Sequence, residues 1–399
     1  MTDTTPAEPA ARPIPTERRC PFDPPEEVGR LRAEQPISRL AYPDGAQGWL
    51  VTEYATARRL LADSRFSSRL ELQHSPIRTP EPEPTPPGMF IFMDPPEHTR
   101  YRKLLTGQFT LRRMRQLEPR IAEFAEGLLD EMERHGAPAD LVRHFALPLP
   151  SLVICELLGI PSEQREFFQH YTAEMVRPDL SPEQSAEIDR VVFGFLGELV
   201  ARKRAAPTDD ILSGLLVEDE LSDDEAMGMV TILLVAGHET TANMLGLGTF
   251  ALLEHPEQLA ALRADPGLID GAVEELLRYL SIVQYEINRT ALEDVELDGQ
   301  LIRAGEPVTV SLPGANRDPA RFDRPDELDV TASQARQHLA FGHGVHQCLG
   351  QQLARAEMRI GYAALVRRFP GLRLEVARED VPMRTDRGIY GVHQLPISW

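Results

Sequence analysis

The chain has 399 residues, 42% hydrophobic and 26% charged, with a formal net charge of −20. That composition suits a globular protein with a sizeable core, and so acidic a surface repels phosphate and argues against a nucleic-acid partner. No uncharged apolar run reaches the ~18 residues a membrane helix needs, so no membrane attachment is expected; three cysteines far apart, Cys20, Cys155 and Cys348, make no disulfide framework and point to a reducing cytoplasm.

Residues 1–19, rich in Pro, Thr, Ala and Glu, read as disordered or loosely attached, and the opening lacks the basic-then-apolar pattern of a signal peptide. Residues 20–399 read as a single domain. The stretch 37–52 alternates and carries Gly45 and Gly48, which predicts an early hairpin. Prolines crowd 76–88, a long loop of the kind that often serves function. Asp94-Pro-Pro-Glu97 opens a helix by the placement of its prolines and sets His98 and Arg102 on one face, four residues apart. Arg100, Arg102, Lys103, Arg112, Arg113 and Arg115 form a basic cluster in an acidic chain, either a solvated surface or a dock for an acidic partner.

From about 111 to 280 the pattern is mainly helical, with apolar residues at helical spacing in 114–135 and 183–205. Ser222-Asp-Asp-Glu225 is a capping box, and no proline follows until Pro256, so some thirty residues would span about 45–50 Å. The middle of that helix, 231–237, is apolar all round and should be buried. Short strands and turns fill 282–312, and 350–369 is again helical, stopping at Pro370-Gly371. The fold class is mainly α with small β-sheets.

The central helix breaks its own rules at Ala236-Gly237-His238-Glu239-Thr240-Thr241. Gly in a helix costs about 1 kcal/mol relative to Ala. A buried Glu needs a partner or water, and Thr can bond back to a carbonyl one turn earlier and distort the helix. Such violations on one turn suggest a purpose; the plainer reading is a helix–helix contact made close by Gly237, with Glu239 reaching water. Gly246-Leu-Gly248-Thr-Phe-Ala251 matches a dinucleotide fingerprint only formally, since it lies within a helix and follows no strand.

The stretch Phe341-Gly-His-Gly-Val-His-Gln-Cys348-Leu-Gly350 places a lone thiol where a helix begins, which favours a thiolate. Gly342, Gly344 and Gly350 let the backbone approach a flat ligand. The spacing Phe-x-x-Gly-x-x-x-Cys-x-Gly resembles the haem-thiolate loop of the cytochrome P-450 monooxygenases, most closely the soluble actinobacterial members that tailor antibiotics and oxidise xenobiotics. The resemblance implies haem b held between the central helix and the Cys-loop helix, with Cys348 as iron ligand beside Phe341 and Gly350. It implies room for O2 at Ala236 and Gly237, and proton supply through Glu239 and Thr240. His98, Arg102, Arg289 and His346 would meet the haem propionates, and Glu275 with Arg278 would form a buried brace. The Arg that usually completes that brace is absent at Ala332, leaving Arg321, Arg324 or Arg336 to substitute.

The same resemblance implies a separate ferredoxin-type electron donor, a monomer, and a bulky, largely apolar small-molecule substrate. The pocket would draw on 76–93, roughly 165–200, Val235, Ile282, Ile287, Ile389 and Tyr390, with Gln284, Tyr285 and Glu286 as polar members. Two alternatives stand beside it: zinc on His338, His343, His346 and Cys348, although no Cys-x-x-Cys knuckle is present, and a haem-thiolate protein that is peroxide-driven or catalytically inert.

Overall fold

Ser222 and Glu225 cap the longest helix, Asp223–Glu254: the Glu225 amide donates to Ser222 Oγ at 3.2 Å, and the Ser222 amide to the Glu225 carboxylate at 2.7 Å. The computed structural model describes residues 11–79, 84–175, 180–217, 221–385 and 387–399, and within them this helix is the axis of the molecule. Residues 241–252 are buried on every side, as an all-apolar helix must be. The helices Pro148–Leu157, Pro182–Ala205, Ile269–Leu280 and Gln351–Arg368 pack around it. Tyr362 of the last of these lies against Gly248 and donates to the Met244 carbonyl, so the Gly-x-Gly stretch is a helix-packing surface.

The predicted hairpin is present as the antiparallel strands Ile37–Ala41 and Gln47–Val51. It extends into a five-stranded sheet through Pro307–Val310, parallel to the second strand, then Asn288–Ala291 and Phe66–Ser67. This sheet fixes Arg289 on a buried strand. The proline-rich loop lies on the start of the central helix, with Pro87 and Gly88 against Gly228 and Glu225; residues 80–83 of that loop lie outside the described residues.

Of the segment expected to be loosely attached, residues 1–10 lie outside the described residues. Residues 11–19 are held to the body, contrary to the reading from composition. Arg12 forms a parallel bridge to Leu40, Ile14 is buried with Leu40, Tyr42, Leu50 and Tyr285, and Arg18 bonds Gln284. A few well-placed contacts outweigh a disorder-prone composition.

Candidate active site

In the interior of the central helix, Val235 is 43% exposed and Ala236 is exposed, directly after the buried run 232–234. A window thus opens in the middle of the helix that forms the axis of the molecule. Thr240 Oγ donates to the Ala236 carbonyl at 2.7 Å, one turn back, and Asn243 Nδ2 donates to the Glu239 carbonyl at 2.8 Å. The Glu239 carboxylate is paired with Arg384, which is itself buried. The partner is 145 residues away in sequence, which is why the sequence reading missed it. A Cβ on Gly237 would stand 2.8 Å from Ile154 Cδ1, so the space that glycine provides is at a contact with the helix Pro148–Leu157. The plainer reading of Gly237 therefore fits its geometry, and the open space lies at Ala236. His238 is buried, with Nε2 3.3 Å from the Leu147 carbonyl, and burial lowers it to about 4, so it is neutral.

The Cys loop turns through Gly344, at φ +76°, where a Cβ would run into the backbone of Leu61 and Ala62. The Cys348 amide donates to the Phe341 carbonyl at 2.9 Å. Burial pushes the thiol up; the amides of Gly350 and Gln351 and the cations Arg102 and Arg355 pull it back. The amides at the helix start favour the thiolate, as its position predicts, while burial opposes it, and a cation at the sulfur would secure the charge. Arg355 lies 4.6 Å over the Phe341 ring and bonds Glu274 at 2.5 and 3.1 Å; His338 Nε2 is 3.2 Å from the same carboxylate. Burial acts to raise Glu274, but these bonds win and hold it at about 2.

Four basic side chains converge beside the loop. The His98 and His346 rings are 4.2 Å apart, and neither His98 nitrogen nor His346 Nδ1 has a hydrogen-bond partner. Arg102 donates to the Gln347 carbonyl at 2.7 Å and Arg289 to the Asn288 carbonyl at 2.7 Å. Burial, then Arg289, His98 and Arg102, lower His346 to about 3; burial and Arg102 lower His98, and burial lowers Arg289 to about 10. The acidic influence on this group, Asp94, already accepts from the Ser68 amide at 2.8 Å and Ser67 Oγ at 2.5 Å. Two desolvated arginines beside neutral imidazoles whose ring nitrogens are unpartnered form a site for anions.

The Glu275–Arg278 brace is buried and bidentate, with both bonds at 2.7 Å. Among the described residues no arginine replaces the one missing at Ala332. The Asp329 amide donates to Glu275 at 3.0 Å, and Arg278 spends its remaining donors on the carbonyls of Asn316, Pro325 and Glu327. Arg324 instead pairs with Glu327 and Asp329 at the surface, Arg321 lies over Tyr54, and Arg336 lines an outer groove. The zinc alternative fails as well. Among the described residues no group of three or more His, Cys, Asp or Glu is arranged to hold a metal, and His343 faces Arg58 while His338 is tied to Glu274.

The segments 282–284 and 388–390 form a short ladder. Gln284 donates to the Gly388 carbonyl at 3.0 Å and Tyr390 to the Ile282 carbonyl at 2.8 Å, with Val283 opposite Ile389. Ile282 is buried and Ile287 and Ile389 are half-buried. Tyr390 is only 2% exposed, with Arg18 over its ring, so it backs the ladder and does not line a surface. Arg384 joins this region to the central helix, since its amide donates to the Gly391 carbonyl at 2.9 Å. Residues 176–179, within the expected 165–200 wall, lie outside the described residues.

Residues 267–399 match the family model described as Cytochrome P-450. The chain is 50% identical to cytochrome P-450 105C1 of a Streptomyces species over 385 residues, covering 96% of this chain and 97% of the relative. It is 46% identical to pentalenic acid synthase of Streptomyces avermitilis, covering 97% of each. The crystal structure of CYP105P1 in complex with filipin I superposes with a TM-score of 0.91 at 43% identity, covering 98% of this chain and 99% of that one.

The chain belongs to the cytochrome P-450 family, and its fold sets haem between the central helix and the Cys-loop helix. It is a haem-thiolate monooxygenase whose cofactor is haem b. The residues present fit that group: a thiol on a tight loop, two arginines beside imidazoles with unpartnered nitrogens suited to two propionates, and an open window on the central helix. No helix among the described residues is long and apolar enough to cross a membrane.

Proposed function

We propose that this enzyme inserts one oxygen atom from O2 into a bulky, largely apolar small molecule of secondary metabolism, drawing electrons from a separate ferredoxin. The balance is substrate, O2, two protons and two electrons giving oxidised product and water. When bound, a thiolate-ligated haem would supply O–O cleavage and oxygen transfer. The protein's own residues do the rest. Cys348 would supply the thiolate, and His98, Arg102, Arg289 and His346 would hold the propionates. Thr240 presents a hydroxyl at the window, and Glu239 next to it supplies protons, held in place by Arg384.

The observation that carries this reading is the window at Val235 and Ala236, on the same turns as that acid and hydroxyl. The apolar members Val283, Ile287 and Ile389 support an apolar substrate, as do a relative named for pentalenic acid synthesis and a neighbour crystallised with filipin I. For the electron donor, support comes from a groove of about 740 Å³ beside the Cys-loop helix, where Arg115 and Arg336 are exposed. An acidic ferredoxin complements such a surface.

The test is turnover of a macrolide and terpenoid panel with a ferredoxin, its reductase and a reduced nicotinamide. Thr240→Ala should keep consuming O2 while its product yield per O2 falls about tenfold or more, up to the roughly 10²–10⁴-fold that loss of a positioned proton-transfer group can cost. Unchanged coupling would remove Thr240 from the relay, and efficient turnover with peroxide alone, equal in both proteins, would favour the peroxide-driven alternative.

A further inference from the structure

Arg18, in the segment whose composition reads as loose, touches three separate stretches of chain. It donates to the Asp23 carbonyl and, at 2.7 Å, to the Gln284 side-chain oxygen; its guanidinium also lies 4.2 Å over the Tyr390 ring. Around it, Tyr285 Oη donates to the Pro15 carbonyl at 3.4 Å, and Ile14 packs with Leu40, Tyr42, Leu50 and Tyr285. Arg18 therefore sits against the ladder of 282–284 and 388–390. Side chains alternate across such a ladder. Gln284 and Tyr390 are on the Arg18 side, so Val283 and Ile389, directly opposite one another, face the other way.

We propose that Arg18 is a specificity-determining positioning residue: by clamping the back of this ladder it sets where Val283 and Ile389 stand against substrate. The proposal rests on the placement of the substrate pocket at that ladder given above. A ladder this short is weak by itself. Arginine suits the clamp because one planar fork gives directed donors and a face that stacks on an aromatic ring. A glutamine there is shorter and has a single amide group in place of the fork, so it cannot serve the Gln284 oxygen and the Asp23 carbonyl together, and it loses the stack on Tyr390. The wall is then free to shift, and a bulky ligand registers that shift more than a small one.

The experiment compares imidazole with clotrimazole, a triarylmethyl imidazole, by Soret titration of the haem-loaded protein. Both bind through the same nitrogen, but only the second reaches the walls. Arg18→Gln should weaken clotrimazole about tenfold, about 1.4 kcal/mol, while leaving imidazole within about twofold. Arg18→Lys, which keeps the charge over Tyr390 but loses the fork, should fall between. Gln284→Leu removes one partner and leaves Arg18 in place, so it should shift clotrimazole in the same direction even if Arg18→Gln does not fold. Unchanged clotrimazole affinity in a folded Arg18→Gln or Gln284→Leu protein would overturn the proposal, as would equal weakening of both azoles. The carbon monoxide spectrum of the unaltered protein, recorded first, reports separately on the haem-thiolate reading.

Discussion

Arg384 holds the Glu239 carboxylate from the C-terminal part of the chain, and together they show what single residues can and cannot announce. Glu239 and Thr240 stood out because each is ill-suited to a buried helix. Arg384 breaks no local rule in its own stretch, and nothing in the sequence pairs residues 145 apart. If Arg384 orients the acid, Arg384→Gln should leave the carbon monoxide spectrum intact, lower product yield per O2 severalfold and alter the solvent isotope effect on turnover. Arg384→Lys should restore part of the coupling. An unchanged isotope effect with lowered stability would mean that the pair serves only packing. Gly237 gives the converse lesson: the sequence offered two readings, and the one its geometry supports is the contact with Ile154.

Among the elements, the central helix, its capping box, the early hairpin and the Cys-loop helix Gln351–Arg368 follow from periodicity, caps and proline spacing, which are local signals. The cluster of two arginines and two histidines is different, because it joins the helix Glu97–Gln108, the strand Asn288–Ala291 and the Cys loop, and only the fold brings these together. Its energetics make a prediction. His98 and His346 have folded pKa values below the ordinary 6.5. The unfolded chain therefore takes up protons that the haem-free fold resists, and stability must fall as pH drops below about 6.5. Glu274, held at about 2, adds a term that is present above its ordinary value of 4.5 and is lost only as pH falls through about 2. Haem propionates would offset the histidine term by giving those rings anionic partners. Denaturant midpoints should thus decline more steeply from pH 7 to 5 for the haem-free protein than for the haem-bound one. Parallel slopes would contradict the assignment of this cluster to the propionates.

At the scale of the whole molecule, the acidic chain carries exposed arginines at the groove beside the Cys-loop helix. If a ferredoxin docks there, Arg115→Glu and Arg336→Glu should raise the ferredoxin concentration for half-maximal rate, most at low ionic strength, without altering azole binding. No salt dependence would place the donor elsewhere. The N-terminal segment was illegible for a physical reason: its attachment depends on a few side chains, Ile14 and Arg18 above all, meeting surfaces built from residues near 40 and 284. The missing brace arginine at Ala332 was legible as a departure, but its remedy, a backbone amide at Asp329, has no sequence signature.

The central claim is thiolate ligation of haem by Cys348. The absorption spectrum of the dithionite-reduced, haem-loaded protein under carbon monoxide tests it most directly. The account predicts a strongly red-shifted Soret band that Cys348→Ser abolishes while the protein remains folded. A red-shifted band that survives Cys348→Ser, or an unshifted band in the fully haem-loaded protein, would contradict it.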